Sequence, residues 1–298
     1  MIATSEYELV TEAVGMADRS ERAKFLVRGS DAADFLQGQV SNDVEALAPG
    51  QGCYATILNT KGKLRTDLRI LRGGTWFFLD GEAIGHAVLR HMLETYSLGR
   101  DVQSEDLTAT RALVSLLGPG ARSVLDAEPP EEENAFVEGE HGLYVSTHLG
   151  VDVIGEPGLE LGVPAVSDDV AECVRIESGR PRLGYDMDAE TMPQEAGINE
   201  RAVSFTKGCY VGQETVARLH YKGKPNRHLR GLRLSEPVER GTDIMLGERV
   251  VGRVGSSCVS PSLGPIALAL VRREAEPGDS VTVNGATAGL VGLPFPRG

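Results

Sequence analysis

Beyond Leu229 the chain changes to strand-like texture only, and this switch constrains its fold more than any other feature. Leu229–Leu234, Asp243–Leu246, Arg249–Val254, Ile266–Val271 and Ser280–Val283 are short apolar runs separated by Gly and Pro, the pattern of successive strands. Asn284-Gly285 sits between Val281-Thr282-Val283 and a further apolar stretch. That dipeptide favours a two-residue hairpin, because both of its residues tolerate positive φ. Residues 227–298 therefore predict a small antiparallel barrel or sandwich.

The first 226 residues read differently. Lys24–Arg28 predicts a strand, followed by Gly29-Ser30-Asp31, where Ser30 or Asp31 can cap a helix carrying Ala33, Phe35 and Leu36. Cys53–Asn59, Leu64–Leu71 and Trp76–Asp80 predict hairpin strands broken at Gly62 and Gly73-Gly74. Ala83–Leu98 places Ile84, Val88, Leu89, Met92 and Leu93 on one helical face. A second round opens with a buried strand over Arg111–Leu117, then Gly118-Pro119-Gly120 and a short helix. After the acidic, Pro-broken loop Asp126–Glu133 come strands at Leu143–His148 and Val151–Ile154 and a helix over Asp168–Ile176. Hairpin sheets with helices on one side give an α+β body over 1–226, with the β-barrel over 227–298. No G-x-G-x-x-G, P-loop or G-x-S-x-G motif occurs, so the common nucleotide-binding and hydrolase signatures are excluded.

Charge narrows the partners. Acidic residues outnumber basic ones 43 to 30, for a formal charge of −13. Such a surface repels DNA and anionic membranes unless its cations are gathered in one place. The N-terminus has an acid at Glu6 and no apolar signal core, and no apolar run approaches the ~20 residues of a membrane span. A cytoplasmic, monomeric protein is expected. The four cysteines stand far apart with no C-x-x-C pair, so neither a metal site nor disulfides in a reducing compartment are expected. Cys53, Cys173 and Cys258 read as packing residues, Trp76 as core, and His86 and His91 as surface histidines.

The informative stretch is Lys207-Gly208-Cys209-Tyr210-Val211-Gly212-Gln213-Glu214-Thr215-Val216-Ala217-Arg218. Its glycines allow a tight backbone that can approach a ligand. Lys207 and Arg218 are near enough in sequence to lower a thiol pKa, and the thiolate is the reactive form. A buried structural cysteine is the competing reading. Arg218, Lys222, Lys224, Arg227, Arg230 and Arg233 follow with no acid between Glu214 and Glu236. A single-sign run in a chain of opposite sign suits an anion: a carboxylate tail, a phosphate or an RNA backbone.

These residues, with Tyr221-Lys222-Gly223 and Asn226-Arg227, resemble the signature of the YgfZ family, folate-binding proteins of iron–sulfur enzyme maintenance. That family is related in fold to the T-protein (aminomethyltransferase) of the glycine cleavage system. Ser41-Asn42-Asp43-Val44, Asn59-x-x-Gly62-Lys63, Leu117-Gly118-Pro119, Arg175-Ile176-Glu177-Ser178-Gly179, Pro193-Gln194-Glu195-Ala196 and Leu293-Pro294-Phe295 extend the resemblance along the chain.

The resemblance implies a ring-like folate-binding body with a C-terminal barrel, and tetrahydrofolate or a one-carbon derivative in a central cavity. It implies Glu177, Asp67 and Arg227 as folate contacts, with Asn42 and Tyr185 as further cofactor-binding candidates. A carboxylate can accept the N–H donors of a reduced pterin, and the glutamate tail needs cations. One departure separates the two relatives. T-proteins carry paired aspartates where this chain has Thr66-Asp67, the first of them implicated in catalysis, and they lack the cysteine of the 207–214 element. The resulting expectation is a tetrahydrofolate-binding accessory protein serving iron–sulfur client enzymes, tRNA-modifying ones among them. Cys209 would be its working thiol, with Lys207 and Arg218 beside it. The alternative is a folate-dependent aminomethyltransferase or other one-carbon transferase. Direct RNA binding is disfavoured by an aromatic content of 5%.

Overall fold

The computed structural model describes residues 2–296. In chain order the body contains α1 (Thr4–Glu12), β1 (Gly15–Asp18), β2 (Ala23–Arg28), α2 (Ala32–Gln39), β3 (Gln51–Leu58), β4 (Leu64–Arg72), β5 (Trp76–Gly81), α3 (His86–Thr95), β6 (Gln103–Asp106) and β7 (Ala112–Leu117). It continues with β8 (Phe136–Gly139), β9 (Gly142–Thr147), β10 (Gly150–Gly155), α4 (Asp168–Glu177), the short α5 (Asn199–Ala202) and α6 (Gln213–Lys222). The strands form two antiparallel five-stranded sheets, ordered β3-β4-β5-β2-β6 and β1-β7-β10-β9-β8.

Alternation along the strands explains how the sheets meet. The outer face of the first sheet buries Val27, Leu68, Ile70 and Leu79 against Phe35 and Leu36 of α2 and Leu89, Met92 and Leu93 of α3. On its inner face Leu71 and Phe78 pack against Leu113, Phe136, Val145 and Ile154 of the second sheet. Further along, this apolar seam gives way to polar residues: Asp67 and Arg69 on β4, Ser115 on β7 and Asp152 on β10. α4 lies on the second sheet with α1, joined through Val10, Leu117, Val170 and Val174.

The remaining strands close a six-stranded antiparallel barrel: β11 (Arg227–Leu234), β12 (Asp243–Leu246), β13 (Arg249–Ser260), β14 (Gly264–Arg272), β15 (Ser280–Val283) and β16 (Ala286–Val291). The barrel-or-sandwich ambiguity thus resolves to a closed barrel filled by Leu232, Ile244, Val254, Ala269, Val281 and Leu290. Asn284 and Gly285 both have positive φ, 51° and 81°, as the two-residue β15–β16 hairpin requires. Ile176 of α4 packs on Leu229, Ile266, Leu268 and Phe295, seating the barrel on the body.

Two local expectations fail. Ile84 is exposed, because residues 83–85 form a 3₁₀ turn that rotates it off the α3 face. The segment after Gly120 forms turns without a helix: Ala121 and Leu125 reach the core from those turns, and Pro129-Pro130 leave too short a run to propagate a helix. Among the described residues no helix is long and apolar enough to cross a membrane.

Candidate functional site

The site begins with the pleat of β4. Thr66, Leu68 and Ile70 point to the helix-covered face, and Thr66 packs so closely under Gly85 that a Cβ there would lie 2.1 Å from Thr66 Oγ1. Asp67 and Arg69 point the other way, into a cavity of about 190 Å³ between the sheets. Adjacent residues in a strand face opposite sides, so Asp67 carries the acid into the cavity whatever occupies position 66.

Tyr54 on β3 stands diagonal to Asp67 across the β3–β4 pair and donates its hydroxyl to Asp67 Oδ2 at 2.7 Å. Burial drives the Asp67 carboxyl above the usual range. The Tyr54 hydrogen bond works against this and the nearby Glu82 charge works with it. The Tyr54 phenol is itself pushed well up, by burial and then by Asp67, so its proton stays in place. The Arg201 guanidinium lies 4.8 Å from the Tyr54 ring centre, a cation–π contact. Glu133 holds Arg201 at 2.9 Å through one oxygen and Arg180 at 3.1 Å through the other. Arg69 donates to Asp80 and Asp152, both at 2.7 Å. Beneath them Arg22 bridges Asp80 and Glu82, and Glu82 also takes Arg182 at 2.8 Å. Burial alone would raise the Asp80 carboxyl, but Arg69 and Arg22 more than reverse this and hold it below its ordinary range.

Four buried polar atoms of these lining residues have no partner: Asp67 Oδ1, Arg69 Nη2, Arg180 Nη1 and Arg201 Nε. Each such atom costs roughly 1–3 kcal/mol, and native structures keep few of them. One acceptor and three donors left free in one cavity describe the complement of a ligand that carries both N–H groups and anionic or carbonyl oxygens.

The residues expected from sequence are not all brought together. Glu177, at the end of α4, accepts Tyr7 Oη at 2.9 Å and Ser260 Oγ at 2.5 Å. It lines a separate, larger cleft of about 1310 Å³ that shares Thr147, His148, Leu149 and Arg180 with the Asp67 cavity. Asn42 lies behind the cavity wall, donating to the backbone oxygens of Tyr54 at 2.8 Å and Arg201 at 2.9 Å. Arg227 is held by Glu195 at 2.9 Å and by the Glu190 carbonyl. Tyr185 is 46% exposed and sandwiched by Arg182 and Arg240. Lys207 places its ammonium on the carbonyls of Gln37, Val40 and Asn42 at 2.6–2.9 Å, closing the C-terminal end of α2. Cys209 is exposed on the loop before α6, and Arg218 is exposed on that helix.

The basic island of 218–233 is therefore a surface feature of α6 and the first barrel strand. The cavity takes its cations from Arg19, Arg22, Arg69, Arg175, Arg180 and Arg201, scattered over the body. Sequence reasoning passed over Tyr54, Arg69 and Arg201. The available signal was two charges, Asp67 and Arg69, alternating with the apolar Leu68 and Ile70 within one strand.

Residues 1–138 match the model of the GCVT N-terminal domain, and residues 227–293 that of the glycine cleavage T-protein C-terminal barrel domain. An aminomethyltransferase of Thermotoga maritima is 30% identical, the alignment covering 93% of this chain and 84% of that protein. One of Nostoc sp. is 28% identical, covering 90% and 79%. The crystal structure of glycine cleavage system aminomethyltransferase T from Bartonella henselae superposes with a TM-score of 0.87 at 24% identity, over 98% of this chain and 89% of that one, and so shares the fold.

These relatives overturn the expected iron–sulfur accessory role with Cys209 as working thiol. They support the T-protein side of the resemblance and not the YgfZ family. The physical reason for the misreading is the β4 pleat: Thr66 in place of an aspartate counted against transfer, yet position 66 faces the helices and the cavity keeps its carboxylate at Asp67.

Proposed function

The chain belongs to the glycine cleavage T-protein family of aminomethyltransferases, and from that premise we propose that it is a tetrahydrofolate-dependent aminomethyltransferase working in the cavity around Asp67. Aminomethyltransferases of this family use tetrahydrofolate as the one-carbon carrier. The observation that carries the reading is Asp67 Oδ1, a buried carboxylate oxygen without a partner beside three unpartnered arginine N–H groups. A reduced folate answers that donor and acceptor set: N–H groups for the carboxylate, and carbonyl and carboxylate oxygens for the guanidiniums.

Bound tetrahydrofolate supplies the amine nitrogen that receives the one-carbon unit. The chain's own residues do the rest. Tyr54 occupies Asp67 Oδ2, so Oδ1 is the oxygen that takes a proton or balances positive charge on an amine. Burial raises the Asp67 pKa, which makes its carboxylate a better proton acceptor than an exposed aspartate. Glu133 fixes Arg180 and Arg201 before any ligand arrives, a pre-organisation that lowers the entropic cost of binding.

The test is transfer from an aminomethyl donor to tetrahydrofolate, with folate binding measured in parallel. Wild-type protein should turn over, and Asp67→Asn should lose roughly 10²–10⁴-fold in kcat while still binding folate. Folate binding by the wild type without transfer overturns the reading.

A further inference from the structure

Helix α4 packs on strand β13 of the barrel, and two pairs of side chains meet across that contact. Cys173 and Glu177 stand one turn apart on α4, and Cys258 and Ser260 stand two residues apart on one face of β13. Ser260 Oγ donates to Glu177 Oε1 at 2.5 Å. One turn back along α4 and two residues back along β13, Cys258 packs against the buried cluster that contains Cys173. The Cys173 thiol also donates to Glu177 Oε1, with the sulfur 3.5 Å from that oxygen. Cys173 is wholly buried, whereas Cys258 is partly exposed. Neither thiol has a role in the Asp67 cavity.

We propose that Cys173 and Cys258 are an oxidation site: a hydroperoxide converts them to a disulfide that ties the α+β body to the barrel. Cys258 meets the oxidant first, because it is the partly exposed residue of the two. Its sulfur attacks the O–O bond, the peroxide leaves as water or an alcohol, and Cys258 becomes a sulfenic acid. The sulfur of Cys173 then attacks that of Cys258. Its proton passes to Glu177 Oε1, and the departing hydroxide collects it as water. Two thiols lose two electrons and two protons in all, and the hydroperoxide is reduced by the same amount. Contact with Cys258 and burial push the Cys173 thiol up, so its attack requires a base at the sulfur, and Glu177 Oε1 lies 3.5 Å away to take the proton.

The experiment uses the full chain, exposed to hydrogen peroxide, alkylated and mapped without reduction. The exposed Cys209 is the internal gauge that the oxidant has acted. The expected result is a cross-linked peptide pair containing Cys173 and Cys258, with Tm raised by roughly 5–10 °C. Both changes should revert with dithiothreitol, and both should be absent in Cys258→Ser. Cys173 and Cys258 remaining alkylatable once Cys209 is fully oxidised overturns the proposal. So does accumulation of unlinked, over-oxidised Cys258. The wild-type map alone decides, so the result does not depend on a variant's folding.

Discussion

The hydroxyl of Tyr54 donates to Asp67 Oδ2 at 2.7 Å and leaves Oδ1 as the buried oxygen without a partner. The bond stabilises the ionised carboxylate against a burial that favours the neutral acid. Replacing Tyr54 with Phe removes an interaction worth about 1.5–3 kcal/mol, so the Asp67 pKa climbs further. The acid limb of the transfer rate should move up by about one to two pH units. A variant that slows transfer without moving that limb would show that Tyr54 acts on something other than Asp67.

Asp67 also leaves a thermodynamic signature. Its folded pKa lies above the unfolded value, so the folded protein binds this proton more tightly than the unfolded chain. The stability it contributes is complete at low pH and is lost as pH rises through the folded value. Asp67→Asn abolishes this dependence. The variant should therefore gain on the wild type as pH rises out of the ordinary carboxylate range, as urea unfolding on the acid side and near neutrality will report. A constant difference between the two proteins contradicts the assignment.

Arg175 pairs with Glu172 at 2.9 Å on its own helix and, towards the barrel, with the buried Asp186. Asp186 accepts Arg175 at 3.0 Å, the Ser256 amide at 2.7 Å and the Ser256 hydroxyl at 2.9 Å. Asp186→Ala leaves the guanidinium with Glu172 alone as counter-charge and the Ser256 amide without its acceptor, and should cost about 1–3 kcal/mol in denaturant unfolding. Adding Arg175→Met should recover part of that loss. A double variant less stable than Asp186→Ala alone would mean that Arg175 stabilises by packing rather than by charge.

Lys207 and Cys209 are neighbours in sequence with separate duties. Lys207→Met strips three carbonyls of their donor and should cost about 1–3 kcal/mol. The alkylation rate of the exposed Cys209 should stay within about twofold of wild type. A large fall in that rate would restore a thiolate-holding role to Lys207.

Much of the architecture could be read from alternation and turn chemistry. The hairpin strands of the body and the Asn284-Gly285 turn follow from local pattern, because a two-residue period and a positive-φ pair leave few choices. The start of α3 was less legible: Ile84 fits the helical repeat, and only the 3₁₀ turn takes it off the buried face. The cavity was legible in one residue and hidden in the rest. Asp67 could be named, but the direction of Thr66 depends on strand phase. Arg69, Arg180 and Arg201 come from β4, from the turn after α4 and from α5, and meet only in the folded body. The run from Arg218 to Arg233 is conspicuous as text and dispersed in space, since a helix and a barrel strand carry its members apart.

The cavity lining has an outcome for encounter kinetics. Six arginines and four carboxylates face it, inside a chain of net charge −13. An anionic ligand is repelled at long range and attracted at close range. Screening acts first on the longer-range, solvent-exposed part of that field. Added salt should therefore speed arrival before it weakens the hold, giving an association rate that rises and then falls with ionic strength. Entry is governed by the acidic exterior and retention by the arginines within.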